Sequence, residues 1–330
     1  MGRLFDVVTS VPELIRAWEV VRRKGGSSAG VDGVRLDDFA LGLGEHLGNL
    51  HRELISGGYD PSPLLSIRLP KKTPGEWRQI GIPTIKDRVI FHSLVEVLHY
   101  LLEPVFMDSS FAFRQGCGVR EAIDLALALL REGNTWAVRG DIRGCFDSMS
   151  WTILSRSLRR YVPDDGVRSL LNRGIRLPYL HGRRLITRTK GLPQGTGFSP
   201  PLANMYLHHF DVSMAQRGFS VIRYGDDWMI LCPNRKEAER AWKTAMRELA
   251  MLEVEINRAK SGIFDLSRQE VSFLGFNIGR GRIDGDSSAW NRFRRCVDVL
   301  RDPESSEDSR RLARSELAGI KAMYRGIGEF

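Results

Sequence analysis

The chain has 330 residues, 42% hydrophobic and 27% charged, close to the average for folded, water-soluble proteins. That length exceeds one ordinary compact domain and fits two or three subdomains packed together. A net charge of +9 and an isoelectric point near 9.6 predict attraction to polyanions. No apolar run approaches the ~20 residues of a membrane-spanning helix. The segment Met1 to Ser10 lacks the apolar centre of an export signal, so a cytoplasmic setting is expected. Cys117, Cys145, Cys232 and Cys296 are scattered without close spacing, which argues against both a disulfide framework and a zinc site.

In chain order, Ser10, Pro12 and Glu13 predict a capped helix start, with Leu14, Ile15, Trp18 and Val21 on one face. The Gly- and Ser-rich stretch from Gly25 to Gly33 predicts a loop. It lacks the Gly-Lys-Ser/Thr ending of a phosphate-binding P-loop. Helices are predicted around Asp87–Leu102, Gly118–Arg131, Trp151–Tyr161, Pro200–Arg217 and Lys236–Leu252. Strands are predicted at Thr135–Gly140, Leu185–Lys190, Val221–Tyr224, Trp228–Cys232 and Val271–Phe276. Helices and strands interleave without a βαβ rhythm, so the fold class is α+β, a sheet with helices on one face. From about Arg280 onward the sequence predicts a small arginine-rich helical unit.

Three carboxylates stand out. Asp141 follows the strand-like run Thr135–Val138, and Asp226 and Asp227 sit between two apolar strands in a pattern that predicts a tight hairpin. Adjacent aspartates on such a turn raise each other's pKa unless a cation neutralises them. Magnesium prefers carboxylate and phosphate oxygen, so this trio suits a metal site. Two such ions would activate a 3′-hydroxyl and stabilise departing pyrophosphate. An isolated Gly-Asp-Asp is commonly no more than a solvated turn; the order of the surrounding motifs changes its weight. His208 and His209 fall inside a predicted helix and read as packed or solvated.

Those motifs are Ala29-Gly30-Val31-Asp32-Gly33; Leu69-Pro70-Lys71-Lys72 through Arg78 to Gly81-Ile82-Pro83-Thr84 and Asp87-Arg88; and Leu102-Glu103-Pro104 with Phe111-Ala112-Phe113-Arg114 and Gly118. There follow Gly140-Asp141-Ile142-Arg143-Gly144-Cys145-Phe146-Asp147 and Gly191-Leu192-Pro193-Gln194-Gly195 with Ser199-Pro200 and Ala203-Asn204. Arg223-Tyr224-Gly225-Asp226-Asp227, Asn257 with Lys260, and Phe273-Leu274-Gly275-Phe276 complete the series. In this order, from Ala29 to Phe276, the chain resembles the group II intron-like bacterial reverse transcriptases.

The resemblance implies a right-hand polymerase: an N-terminal extension and fingers over 1–136, a palm over 137–279 with a fingers-contacting loop near 185–200, and a reduced helical thumb over 280–330. It implies an RNA-directed DNA polymerase adding dNTPs to a primer on an RNA template. Asp141, Asp226, Asp227 and Ile142 would hold two Mg²⁺ ions, with Mn²⁺ able to substitute. Lys71 and Arg78 would grip the triphosphate. Gln194 and Ile142 would line the nucleotide pocket, and Phe146 would exclude a ribose 2′-hydroxyl. Lys260 would protonate pyrophosphate or steady the primer. Tyr224 and the primer grip Leu274-Gly275-Phe276 would hold primer and template, the glycine permitting close backbone approach.

Alternatives are an RNA-directed RNA polymerase, kept open by Asp147 beside Phe146, and an RNA-binding maturase-like protein. Gly225 stands where the family's motif usually has alanine. About fifty residues follow Phe276, with Ala313 to Phe330 resembling the end of a thumb and no room for a maturase or HNH nuclease segment, so a self-mobile intron protein is not expected. Retron signatures, Asn-Ala-x-x-His and Val-Thr-Gly, are absent, and Gln194 argues against diversity-generating enzymes. The resemblance therefore points to a freestanding enzyme of bacterial defence or CRISPR spacer acquisition, with CRISPR adaptation proteins or another defence factor as partners.

Overall fold

The structure is a computed structural model that describes residues 3–25, 28–70, 75–285, 287–302 and 304–324. The chain divides into two compact units that interleave along the sequence. One contains residues 1–106, 144–209 and 252–254, and the other 107–143, 210–251 and 255–330.

The first unit opens with helices α1 (Arg3–Thr9), α2 (Val11–Lys24), α3 (Leu36–Leu41) and α4 (Leu43–Ser56). Ser10 caps α2 as predicted, its hydroxyl accepting the Glu13 N–H at 3.4 Å. Leu14, Trp18 and Val21 are buried, whereas Ile15 is 44% exposed and leaves the predicted face. Strands β1 (Leu64–Pro70) and β2 (Trp77–Ile82) form an antiparallel hairpin, which leads to α5 (Ile85–Leu102). Thr84 caps α5 by accepting the Asp87 N–H at 3.1 Å, so the helix starts two residues before the predicted Asp87. The Asp87 carboxylate is fully buried and accepts from Tyr59 Oη (2.7 Å), Thr84 Oγ1 (2.7 Å) and the Ser62 N–H (3.1 Å). A residue the motif quotes is thus a structural tie between α5 and the Tyr59–Ser62 segment.

In the second unit α6 (Val119–Arg131) precedes β3 (Trp136–Asp141). The chain then returns to the first unit with α7 (Cys145–Ser148), α8 (Trp151–Tyr161), α9 (Asp165–Ile175) and the hairpin β4 (Tyr179–His181) and β5 (Arg184–Ile186). The order β2-β1-β4-β5 makes one four-stranded sheet, in which only β1 and β4 run parallel. Strand β5 ends at Ile186, well short of the predicted Lys190. There Arg188 turns its guanidinium onto the carbonyls of Gly191, Ile175 and Leu177, at 3.0, 2.6 and 3.0 Å.

Helix α10 (Ser199–Gln216) leads into β6 (Val221–Tyr224), β7 (Asp227–Cys232), α11 (Arg235–Met251) and β8 (Gly262–Asp265). The sheet β6-β7-β3-β8 is antiparallel throughout, with α6 and α11 packed on it. Gly140 lies opposite Trp228, and a Cβ there would collide with the indole; the missing side chain is what lets this tryptophan stay buried beside the strand. The predicted single strand Val271–Phe276 is a hairpin, β9 (Val271–Phe273) and β10 (Phe276–Gly279), extended by β11 (Arg282–Gly285). Strand β11 falls at the start of the stretch read as a small helical unit; α12 (Ser287–Arg301) and α13 (Glu307–Tyr324) follow it. Phe273, Phe276, Ile278 and Ile283 join Ala122, Ile222 and Met229 in the core of this unit. The four cysteines are free thiols, and no described helix is long and apolar enough to cross a membrane.

Candidate active site

Asp141 ends β3 and lies directly opposite Asp227, the first residue of β7. The β6–β7 connection has two residues, Gly225 and Asp226, between the paired Tyr224 and Asp227. Gly225 has φ 67°, the positive value that a type II′ hairpin turn demands at its first central position. Asp226 therefore occupies the turn while Asp227 belongs to the strand. The Ile142 N–H donates to the Asp226 carbonyl at 3.0 Å, which draws the turn against the end of β3. All three carboxylates thus belong to one end of one sheet.

The backbone of Asp141 is held on both sides: its N–H donates to Ser261 Oγ (3.1 Å) and its carbonyl accepts from the Asn257 N–H (2.8 Å). The same turn carries Lys260, whose Nζ is 3.8 Å from Asp141 Oδ2. Arg139, two residues before Asp141 and so on the same sheet face, donates to Asp227 from Nε (3.3 Å) and Nη2 (3.1 Å). Burial raises the Asp227 carboxyl to about 6; Arg139 pulls it down, and the charges of Asp141 and Asp226 push it further up. Arg139 and Ser261 were not singled out from sequence. The period of a strand would have found Arg139, since i and i−2 share a face.

Beneath the turn, Arg223 is fully buried and forms a fork with Asp211, Nε to Oδ1 at 2.7 Å and Nη2 to Oδ2 at 2.6 Å. Nη2 also donates to Ser110 Oγ (2.7 Å), and Nη1 to the Gly225 carbonyl (3.1 Å). A buried guanidinium with such fixed geometry sets where the turn, and so Asp226, can sit.

Whether these residues suit magnesium is a question of donors. The carboxylates are hard oxygen ligands, and their mutual charge together with burial raises Asp227, a condition that a divalent cation relieves. Among the described residues no group of three acidic, histidine or cysteine side chains is arranged to hold a metal ion. Asp227 is turned onto Arg139, and Asp141 has Lys260 as its nearest cation. The donor chemistry fits; a closed cage is not preformed, consistent with magnesium's habit of taking further ligands from phosphate and water.

The predicted nucleotide residues lie in the other unit, apart from Ile142. Lys71 lies outside the described residues. Arg78 is exposed on β2, opposite Leu69. Phe146 is half-buried on α7, where its carbonyl accepts the Leu192 N–H at 2.6 Å. Gly191 has φ 88° and donates its N–H to the Met149 carbonyl at 2.7 Å. Gln194 donates to both oxygens of Asp147, at 3.3 and 3.4 Å, so the acid beside Phe146 is engaged by the loop glutamine. The Gln194 carbonyl accepts from the Gly81 N–H at 2.7 Å, and Gly195, at φ 105°, is pressed so closely to the Gly81 carbonyl that a Cβ would collide with it. Gly81, Phe146, Asp147 and Gln194 are thereby joined around one loop.

The remaining predicted site residues are in the second unit. Tyr224 ends β6, paired with Asp227. Leu274 (φ 53°) and Gly275 (φ 90°) make the two-residue turn between β9 and β10, and Phe276 is buried below. His208 is buried among the rings of Phe106 and Tyr161, and His209 is exposed, as the sequence suggested.

Residues 69–278 match the model of the reverse transcriptase (RNA-dependent DNA polymerase) family, and the chain belongs to that family. It is 30% identical over 251 residues to protein YkfC of Escherichia coli K12, covering 74% of this chain and 65% of that one. It is 31% identical over 235 residues to the group II intron-encoded protein LtrA of Lactococcus lactis, covering 70% and 38%. The chain therefore spans less than two thirds of the length of either relative. Among solved structures it is similar to telomerase from Candida albicans in complex with a fragment of telomeric RNA (TM-score 0.59, 12% identity, 89% of this chain and 60% of that one). It is also similar to apo telomerase from Candida tropicalis truncated from its C-terminal domain (TM-score 0.55, 16% identity, 71% and 59%). The α+β fold is that of the right-hand polymerases, as expected from the sequence.

Proposed function

We propose that the protein is an RNA-directed DNA polymerase that extends a primer 3′-hydroxyl with dNTPs on an RNA template. The observation that carries this is the gathering of Asp141, Asp226 and Asp227 at the end of one sheet. Asp141, Asp226, Asp227 and the Ile142 carbonyl would hold two magnesium ions, or manganese in their place. When bound, these ions would lower the pKa of the primer hydroxyl and neutralise charge on the leaving pyrophosphate. Lys260 would steady the primer terminus or give a proton to the leaving group, a role supported by its 3.8 Å approach to Asp141, and Arg139 would keep Asp227 ionised and oriented until a cation arrives. Lys71 and Arg78 grip the triphosphate, and Gln194 closes the nucleotide pocket. Phe146 rejects a 2′-hydroxyl by bulk, with Asp147 occupied by Gln194. Tyr224 and the Leu274-Gly275-Phe276 turn hold the primer and template strands. The fingers, palm and thumb would follow the boundaries 1–136, 137–279 and 280–330.

The curated relative LtrA is intron-encoded, which supports the group II intron-like lineage. A role in bacterial defence or CRISPR spacer acquisition, with adaptation proteins as partners, rests on the sequence motifs alone. Primer extension on an RNA template in Mg²⁺, with dNTPs and NTPs compared, tests the proposal. Incorporation of dNTPs is expected. Incorporation of NTPs instead would establish an RNA polymerase, and RNA binding without synthesis a maturase-like protein.

A further inference from the structure

Two adjoining concavities of the first unit run along α8 and share Ser155, Arg159 and Arg176. The larger, about 880 Å³, lies between α8, α9 and the segment around Pro61. The smaller, about 590 Å³, continues to Thr189 and Lys190. Both are open to solvent. Their shared lining makes them one continuous open groove, a shape suited to an extended chain.

The walls of this groove are fixed. Trp151, Ser155 and Arg159 recur at four-residue spacing and so share one face of α8 over about 12 Å of helix. The Trp151 indole donates to the Gly191 carbonyl at 2.8 Å, with the guanidinium groups of Arg176 and Arg188 at 5.5 and 5.9 Å from its ring. Ser155 donates to Asn172 at 3.4 Å, and Arg173 to the Tyr59 carbonyl.

Some exposed arginines of this chain face a carboxylate, as in Arg16–Glu13, Arg235–Glu239 and Arg240–Glu237, and others, such as Arg22 and Arg131, are exposed without an ion pair among the described residues; what sets the groove apart is that its unpaired cations line one concavity. In the groove Arg168 is paired with Asp165, and Asp60 and Glu253 also contribute to the lining. The side chains of Arg159 and Lys190 have no ion pair or hydrogen bond among the described residues, and that of Arg176 has only its ring contact. Unpaired cations interleaved with the hydroxyls of Thr152, Ser155 and Thr189 are the chemistry of phosphodiester recognition, in which arginine and lysine meet phosphate and hydroxyls meet phosphate or sugar.

We propose that this α8–α9 groove is a second RNA-binding surface, one that holds a single-stranded RNA backbone without reading its sequence. The choice of RNA as the polyanion rests on the polymerase reading; the groove residues have no part in the chemistry proposed for the carboxylates.

The test is equilibrium binding of a fluorescein-labelled 30-nucleotide single-stranded RNA in EDTA, without primer or nucleotides. The triple variant Arg159→Gln, Arg176→Gln, Lys190→Gln is compared with a charge-matched variant, Arg16→Gln, Arg52→Gln, Arg235→Gln. The groove variant should bind at least about tenfold more weakly than the charge-matched one at 0.1 M salt, and its log–log salt slope should be shallower by about two, from three phosphate contacts. Arg159→Lys with Arg176→Lys should keep the wild-type slope. Equal affinity of the two triple variants, or an unchanged slope, overturns the proposal and leaves only the general positive field; an acidic peptide as the natural occupant would give that same result. Should the triple variant melt unlike wild type, single Arg159→Gln and Lys190→Gln decide: both side chains are exposed and unpartnered, and each should make the slope shallower by about 0.7. Because no synthesis is measured, a failure here is separable from a failure of the polymerase reading, which Asp226→Asn tests through extension.

Discussion

The Arg223–Asp211 pair yields the most demanding prediction. Both side chains are essentially inaccessible, 0% and 1% exposed, and joined by two hydrogen bonds of 2.6–2.7 Å, so removing either partner strands a charge in the interior. Breaking a buried pair in this way costs roughly 3–5 kcal/mol. Asp211→Asn should fall in that range, and so should Arg223→Met, which also frees Ser110 Oγ and the Gly225 carbonyl. The double variant Arg223→Met, Asp211→Leu should be less destabilised than the sum of its singles by about 2 kcal/mol or more, because the stranded charges vanish together. Chemical denaturation of the four proteins measures this coupling. The double variant should still extend primers poorly, since the Gly225 carbonyl has lost the donor that fixes the turn carrying Asp226. Singles that each cost under about 1 kcal/mol, or a coupling near zero, would refute the reasoning that a buried clamp positions the turn.

Other outcomes follow from the same geometry. Burial raises Asp227 to about 6, so the folded, metal-free chain binds its proton more tightly than the unfolded chain. Stability present below the ordinary carboxylate range is therefore lost as pH rises through 6, by up to about 3 kcal/mol. Asp227→Asn should flatten that part of the thermal-midpoint profile in EDTA and gain stability at pH 7.5. Gly225→Ala has room for its methyl group but must hold φ 67° in a type II′ turn, so it should cost about 2 kcal/mol and retain extension. Gly195→Ala meets the Gly81 carbonyl and should abolish extension by displacing Gln194, which unfolding and extension assays separate. Phe146→Val should raise NTP incorporation relative to dNTP by roughly tenfold or more, read from single-nucleotide extension.

Much of the second unit's sheet could be read from sequence, for physical reasons. Two apolar runs around Gly225-Asp226 leave little but a hairpin, and β6 has the predicted limits. Helix α8 was equally plain, its apolar residues recurring at helical spacing between Ser150 and Val162. The β9–β10 hairpin was hidden because Val271–Phe276 is apolar almost throughout, and Leu274, a residue rarely found at positive φ, takes the turn. Helix α9 was not among the predicted helices, and it carries Gly166 and Gly174, residues of low helix propensity. They are packing notches, where a Cβ would press on Phe5 and Phe198. Of the site, the carboxylates were evident as charges in apolar surroundings, and the tertiary ties were not. Neither Ser261 beneath Asp141 nor the pinning of Gln194 to Gly81 leaves a pattern in local sequence.

The most direct test of the central claim is Asp226→Asn, with extension of a DNA primer on RNA and binding of that primer–template measured side by side. The account predicts that extension falls by about a thousandfold or more, on the order of 4 kcal/mol of lost transition-state stabilisation, while binding stays within a few fold. Extension persisting within tenfold of wild type would contradict it and place the chemistry elsewhere in the chain.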